Sequence, residues 1–529
     1  MKKQSFLIGA ILLAAGGIFA KIVGAFYKIP LTNILGTNGM GLYYLVFPLY
    51  SLVLVLISSG TSLAVVRFVS IEKRNHNYYN QKLIFRVALI YVFILSLIFG
   101  VLFILLKVPL SILQGNVNAS FSYFAIAPAI LFSSVIAVIR GYFQGQQNMT
   151  PTLINNIVEQ VIKLISGLFL ANIFLKKGVT YAVFGAILGV TISEFFALIF
   201  ITIHYLIYKH KHIYKIEQST SKNLTFFEAL KKIIKYAYPA TLGALISPIT
   251  GFLDSFMIIN ILTKAGFSSL QATNLYGISN GIVNTLISLP IVVCSAISTA
   301  IVPNLSGLFS KNNEAEVGFK TSFFIKITWL IALPCFLMFL IFSPDIITML
   351  YSNGLSSAVI NEYAFSYKLL MLSSVSIIYY AFLQTFTSIL QSINKPFVPF
   401  LGLLIGLILR IFLLYLFVSN PKINIFGVAI ANIGFLSVAI LFCLNAIKKH
   451  IKLKYSFYKL IIAPIASSVI TGVVLYFLRT ILMTFLNVWV YTIICGLLGL
   501  GCFVGLIIIF KCFSKAEINM FKRKSKLKV

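Results

Sequence analysis

Fourteen stretches of 20 or more predominantly apolar residues recur along this 529-residue chain. They fall at about 6–29, 42–66, 84–106, 121–143, 153–175, 181–206, 236–262, 275–305, 323–343, 363–391, 397–418, 425–447, 460–479 and 488–510. A helix needs about 20 apolar residues to cross a bilayer, and each segment meets that length. The chain reads as an all-α integral membrane protein with about fourteen transmembrane helices. Composition agrees: 60% of residues are hydrophobic, 10% are charged and the mean hydropathy is +1.00. So little polar surface cannot cover a soluble core of this size, which excludes a soluble multidomain enzyme. Intrinsic disorder and a small disulfide scaffold are excluded with it.

The net charge of +31 comes from 42 Lys and Arg against 11 Asp and Glu. In a soluble chain such an excess points to nucleic acid. Here the bases sit at the ends of apolar segments, where they set orientation, and no nucleic-acid partner is implied. With the N-terminus inside, the inner side holds about 30 basic residues, counting Arg86 and Arg140 at the inner ends of their segments, and the outer loops six: Lys107, Lys176, Lys177, Lys264, Lys422 and Arg479. This bias places both termini in the cytoplasm of a multi-pass membrane protein. Met1-Lys2-Lys3 followed by an apolar run to Ala20 also resembles a signal peptide. Cleavage would leave thirteen helices and put either the basic loops or the basic tail on the wrong side.

The longest connection, 207–235, carries Lys209, Lys211, Lys215, Lys222, Lys231, Lys232 and Lys235. It divides the map into an N-terminal bundle of helices 1–6 (residues 1–206) and a C-terminal bundle of helices 7–12 (236–447). Helices 13 and 14 with a basic tail complete the chain (448–529). A faint internal repeat supports two related bundles. Ser59–Ser70 aligns with Ser295–Ser306, and Gln146 precedes Pro151 by five residues as Gln391 precedes Pro396. Parallel repeats of this kind place a substrate path at their interface.

Nothing in the chain resembles catalytic machinery. No Ser/His/Asp set, metal motif or phosphate-binding glycine loop is present, and neither a cofactor nor a metal is implied. The six cysteines lie in or at the ends of apolar segments and read as packing residues. Chemistry is instead suggested by charges inside the spans, which cost about 3 kcal/mol or more in lipid and persist where they face protein or water. Lys21 and Lys28 lie seven residues apart, two turns along one face of helix 1. Lining a cavity and snorkelling to headgroups are both open to them. Glu159 and Lys163 are spaced i,i+4 on helix 5, which suits either an intrahelical pair or a polar patch facing a cavity. Arg410, within helix 11, has no neighbouring acid in the sequence. It pairs across helices or faces a cavity. Arg140 near the end of helix 4 suits paired hydrogen bonds to phosphate or a headgroup anchor. Lys326 and Lys368 lie nearer the ends of their apolar segments and read as snorkelling. The acids Glu159, Glu194 and Asp254 are candidates for ion coupling or for structural pairs between helices.

Several of these stretches carry a family likeness. Leu35-Gly36-Thr37-Asn38-Gly39-Met40-Gly41-Leu42-Tyr43 joins helices 1 and 2, and Arg140-Gly141-Tyr142-Phe143-Gln144-Gly145-Gln146-Gln147-Asn148-Met149-Thr150-Pro151 joins helices 4 and 5. Glu159-Gln160 and Lys163 follow, and Ser298-Thr299-Ala300-Ile301-Val302-Pro303 ends helix 8. Together they resemble the stage V sporulation protein B family, a branch of the oligosaccharide-lipid flippases within the superfamily that also holds the MATE exporters. The resemblance implies a MATE-like fold of two six-helix bundles around a central cavity, plus two helices. It implies movement of a polyprenyl-diphosphate-linked saccharide, such as lipid II, across the cytoplasmic membrane. Membrane lipids and cell-wall synthesis proteins are the other partners it implies. Lys21, Lys28, Arg140, Lys163 and Arg410 are then the substrate-binding candidates. Where the lipid II branch has arginines in helices 1 and 2, this chain has Lys21, the Tyr27-Lys28 pair and an uncharged 45–56 stretch. Ser62 stands at the family's usual proline. A MATE-like exporter of cations is the alternative. It calls for an acid-dominated cavity, whereas here span bases outnumber span acids.

Overall fold

The computed structural model describes residues 6–212, 223–309, 313–352, 355, 361–453, 456–514 and 517. Lys2, Lys3, the linker residues Lys215 and Lys222, and the basic tail beyond Glu517 lie outside the described residues. So do Lys311, Lys454 and Lys515. Among those described, nineteen α-helices account for nearly the whole chain. Thirteen helical stretches are long and apolar enough to cross a membrane. The first, Gly16–Arg74, runs for 59 residues and contains the second apolar segment and the latter part of the first. At about 1.5 Å per residue it is far longer than a hydrocarbon core of about 30 Å. It is broken at Gly36, whose φ of 65° and ψ of −177° would strain any residue with a Cβ. The Leu35–Tyr43 stretch expected to join helices 1 and 2 is therefore helical on both sides of one residue.

By contacts the chain forms two compact units, 1–281 and 282–529. The first contains α1 (Phe6–Leu54), α2 (Gly60–Arg74), α3 (Tyr78–Leu105), α4 (Lys107–Leu113), α5 (Ser120–Gly145), α6 (Thr150–Leu175), α7 (Val179–His212), α8 (Phe226–Ala244), α9 (Ile246–Lys264) and α10 (Ser269–Gly277). The division by packing thus falls later than the 207–235 linker that marks the covalent map. The reason is that α8 docks on α2, while α9 and α10 dock on α1. Gly60 makes the first contact close, since a Cβ there would meet the Ala237 carbonyl. The amide of Gln114 reinforces the α9 side of this unit. It donates to the Leu45 carbonyl at 2.8 Å and the Ser255 hydroxyl at 3.2 Å, and it accepts from Tyr123 at 2.6 Å.

The α6–α7 pair is the most intimate in the first unit. Gly185 and Gly189 stand one turn apart on α7. A Cβ on Gly189 would run into the Gly167 backbone, and one on Gly185 would lie 2.7 Å from the Leu170 carbonyl. In lipid, where apolar burial does not drive helices together, small residues allow the close approach that dispersion requires. Gly189→Ala is expected to destabilise the protein by about 1–3 kcal/mol through overpacking, read as a lower midpoint of thermal unfolding in detergent.

The second unit contains α11 (Asn284–Phe309), α12 (Glu314–Ile341), α13 (Ser343–Tyr351), α14 (Glu362–Ser373), α15 (Val375–Ser392), α16 (Phe397–Val418), α17 (Phe426–His450), α18 (Ala463–Leu482) and α19 (Val488–Ile509). Ile301, Leu305, Phe386, Ile389, Leu436 and Ala439 centre its core. The last two helices are fastened to α13 by polar bonds. Asp345 accepts from Arg479 through Nε and Nη2, and from the Tyr491 hydroxyl.

The turns ending α5 and α15 have the same construction. Gln147 (φ 58°) and Asn394 (φ 60°) adopt left-handed backbone. Gln147 N–H donates to Gln144 O and Asn148 N–H to Phe143 O, and Asn394 and Lys395 repeat this with Gln391 and Leu390. This is a Schellman ending. It aligns Gln144, not Gln146, with Gln391, shifting the register read from the prolines by two residues.

Candidate functional site

On α6, Asn155, Glu159, Lys163 and Gly167 follow one another at i+4 intervals and form a single ridge. Their neighbours turn that ridge into a charged site inside the first unit. Arg140 of α5 donates from Nη2 to Glu159 Oε2 at 2.8 Å and from Nε to Asn155 Oδ1 at 2.8 Å. The Asn155 amide donates in turn to the Ala197 carbonyl of α7 at 2.7 Å, which fixes its orientation. Gln160 donates to the other Glu159 oxygen at 3.0 Å. Glu194, buried on α7, lies near Ser133 and within electrostatic reach of Glu159, Arg140 and Lys163. Ser133 shares a 2.9 Å hydrogen bond with Tyr50.

Lys163 does not take the pairing that its i,i+4 spacing from Glu159 suggests. Its ammonium lies 5.7 Å from the centre of the Tyr27 ring and 5.3 Å from that of Phe47, both within range for attraction to the ring face. Glu159 is committed to Arg140. Lys28 is half-buried, 5.2 Å from the Tyr44 ring centre, and within electrostatic reach of Lys163. Five of the eight residues nominated from the sequence therefore converge in this unit: Lys28, Arg140, Glu159, Lys163 and Glu194.

Three do not join them. Lys21 is exposed on its helix. Asp254 is buried on α9 but is not among the groups acting on Lys163 or Glu194. Arg410 belongs to the second unit, where it is buried and donates to Asn432 Oδ1 at 2.8 Å. Tyr380 donates to the same oxygen at 3.3 Å, and the Phe435 ring lies 5.9 Å from the guanidinium. The repeated turns give Arg410 a counterpart. It stands 16 residues after Asn394, as Lys163 stands 16 after Gln147. Each base also lies against an aromatic face.

Lys326 is corrected outright. It does not snorkel: it is buried, 2.6 Å from Glu517, and donates to the Cys512 carbonyl at 3.0 Å. Sequence reading also missed Tyr27, Tyr44, Phe47 and Ser133. Their aromatic and hydroxyl side chains are ordinary in a span, and only tertiary placement distinguishes them. Asn155, one turn before Glu159, was the one polar neighbour that spacing alone could have added.

A family model described as polysaccharide biosynthesis protein matches residues 6–309. Stage V sporulation protein B of Bacillus subtilis (strain 168) is 25% identical over 433 residues, 82% of this chain and 81% of that protein. Lipid II flippase MurJ of the same organism is 22% identical over 502 residues, 92% of this chain and 90% of that one. A solved structure of lipid II flippase MurJ in an inward closed conformation matches with a TM-score of 0.68 at 16% identity, over 94% of this chain and 98% of that chain. The fold is shared, and the likeness read from the sequence motifs is met.

Proposed function

The chain belongs to the polysaccharide biosynthesis protein family, and from that premise we propose that it is a flippase for a polyprenyl-diphosphate-linked saccharide. The observation that carries this reading is Lys163. It is a base within a membrane-spanning helix whose ammonium rests on aromatic faces while the nearby carboxylate is engaged by Arg140. A diphosphate needs such a partner away from bulk water. Lys28, within electrostatic reach, adds a second positive charge. Two sequence relatives are named as a sporulation protein and a lipid II flippase, which supports a lipid-linked cell-wall precursor as cargo.

In this reading the saccharide headgroup crosses the cytoplasmic membrane by alternating access, both termini face the cytoplasm, and no covalent bond is made or broken. The two bundles of the covalent map, 1–206 and 236–447, are the related halves, and Arg410 contributes the second half's base. Glu159 and Glu194 serve ion coupling, if coupling uses an ion, with Asp254 a further candidate. Helix 1 carries Lys21 and Lys28, and the 45–56 stretch of helix 2 is uncharged where the lipid II branch has arginines, so lipid II is one cargo to be tested among several.

Lys163→Gln is expected to lower flipping in sealed vesicles by roughly 10- to 100-fold, the equivalent of one charged hydrogen bond. Lys163→Arg should retain most of it. Equal rates for the wild type and Lys163→Gln would count against the anionic site.

A further inference from the structure

The escape of Lys163 from Glu159 has a structural cause. On a helix the two are neighbours in the favourable order, and away from water the Coulomb attraction of a carboxylate for an ammonium exceeds that of a ring face. Three features divert the pair. Arg140 holds Glu159 at 2.8 Å on one side. Tyr27 and Phe47 present their rings to the ammonium on the other, at 5.7 and 5.3 Å. Gly167, one turn beyond Lys163, makes room for Tyr27, because a Cβ there would lie 2.5 Å from the phenol oxygen and 2.9 Å from the ring. Phe47 is itself stacked on Tyr43, with ring centres 5.4 Å apart and an interplanar angle of 15°. It is only half-buried, whereas Tyr27 is fully enclosed.

We propose that Phe47 and Tyr27 are positioning residues that hold the Lys163 ammonium out of an ion pair with Glu159 and keep it available to an anionic phosphate headgroup. The proposal rests on the flippase reading for its ligand but not for its geometry. A cation resting on a π face is stabilised and oriented, yet an arriving phosphate displaces the ring readily. A cation locked to Glu159 would have to break that pair first. Phe47 is the informative position, because its loss leaves the enclosed Tyr27 and the Arg140–Glu159 pair in place.

Without Phe47 a share of the molecules has Lys163 captured by Glu159, and the apparent affinity falls by the competent fraction. The half-saturating concentration of a polyprenyl-diphosphate saccharide should rise roughly 2- to 30-fold in Phe47→Leu, the range set by a cation–π contact. The maximal rate should stay near wild type, and Phe47→Trp should restore the affinity. A merely structural role for Phe47 would lower the maximal rate instead.

A second measurement needs no substrate. Lysines of the full-length protein in detergent are labelled by reductive ¹³C-methylation, and the Lys163 resonance is assigned by its loss in Lys163→Arg. Ring currents should shift it upfield of the exposed lysines in the wild type and in Phe47→Trp, and much less in Phe47→Leu. An unshifted wild-type resonance, or one indifferent to Phe47→Leu, overturns the positioning role whatever the cargo proves to be. A wild type that moves no polyprenyl-diphosphate lipid but keeps the Phe47-dependent shift sinks the flippase reading alone. An unchanged half-saturating concentration in Phe47→Leu overturns the link between positioning and substrate.

Discussion

Lys326→Met should destabilise the protein by about 3–5 kcal/mol, the largest effect of any single change considered, read by thermal unfolding in detergent. Both partners of the Lys326–Glu517 pair are nearly inaccessible, with side chains 6% exposed, and the substitution leaves the Glu517 carboxylate buried without its cation. Glu517 is also bonded to Ser514, accepting from its N–H at 2.6 Å while the Glu517 N–H donates to the Ser514 hydroxyl. It therefore cannot swing out to water without breaking the bond from Ser514. Replacing both partners, as Lys326→Met with Glu517→Leu, should recover most of the loss, since a well-packed apolar pair often equals a buried ion pair. A loss below about 1 kcal/mol in the single variant would contradict the enclosed geometry.

Arg140→Met should cost about 2–3 kcal/mol and lower flipping as well. The pair is less enclosed than the first, with side chains 21% and 18% exposed, so the cost to stability is smaller. The effect on transport follows from spacing. A Glu159 released by Arg140 lies one turn from Lys163 and can capture it. Arg140→Met with Glu159→Met should recover stability, and the coupling energy from the four proteins measures the pair itself. Additive losses would mean that Arg140 and Glu159 act separately.

The parts of the molecule that sequence made legible follow from periodicity and length. Fourteen apolar segments became thirteen membrane-length helical stretches, because one glycine proved enough to separate the first two spans without a loop. The presence of charges at Lys28, Arg140, Glu159, Lys163 and Glu194 was visible because lipid makes such residues conspicuous. Their pairing was not. Local spacing favours Glu159 with Lys163, yet Arg140, 19 residues earlier in the chain, takes the carboxylate. Lys326 finds its acid 191 residues away, beyond the reach of any local pattern. The prolines after Gln146 and Gln391 match in spacing, whereas the hydrogen-bonded turns match Gln144 with Gln391, a correspondence that side-chain identity alone does not reveal.

In the proposed flippase a base held inside the membrane serves an anionic lipid-linked headgroup. The most direct test of that role places the wild type and Lys163→Gln in sealed vesicles containing a labelled polyprenyl-diphosphate saccharide, with a fluorescent organic cation supplied in parallel. Headgroup translocation is expected in the wild type, its loss in Lys163→Gln, and no dependence of cation movement on Lys163. Cation export by the wild type with no movement of the lipid would contradict that role.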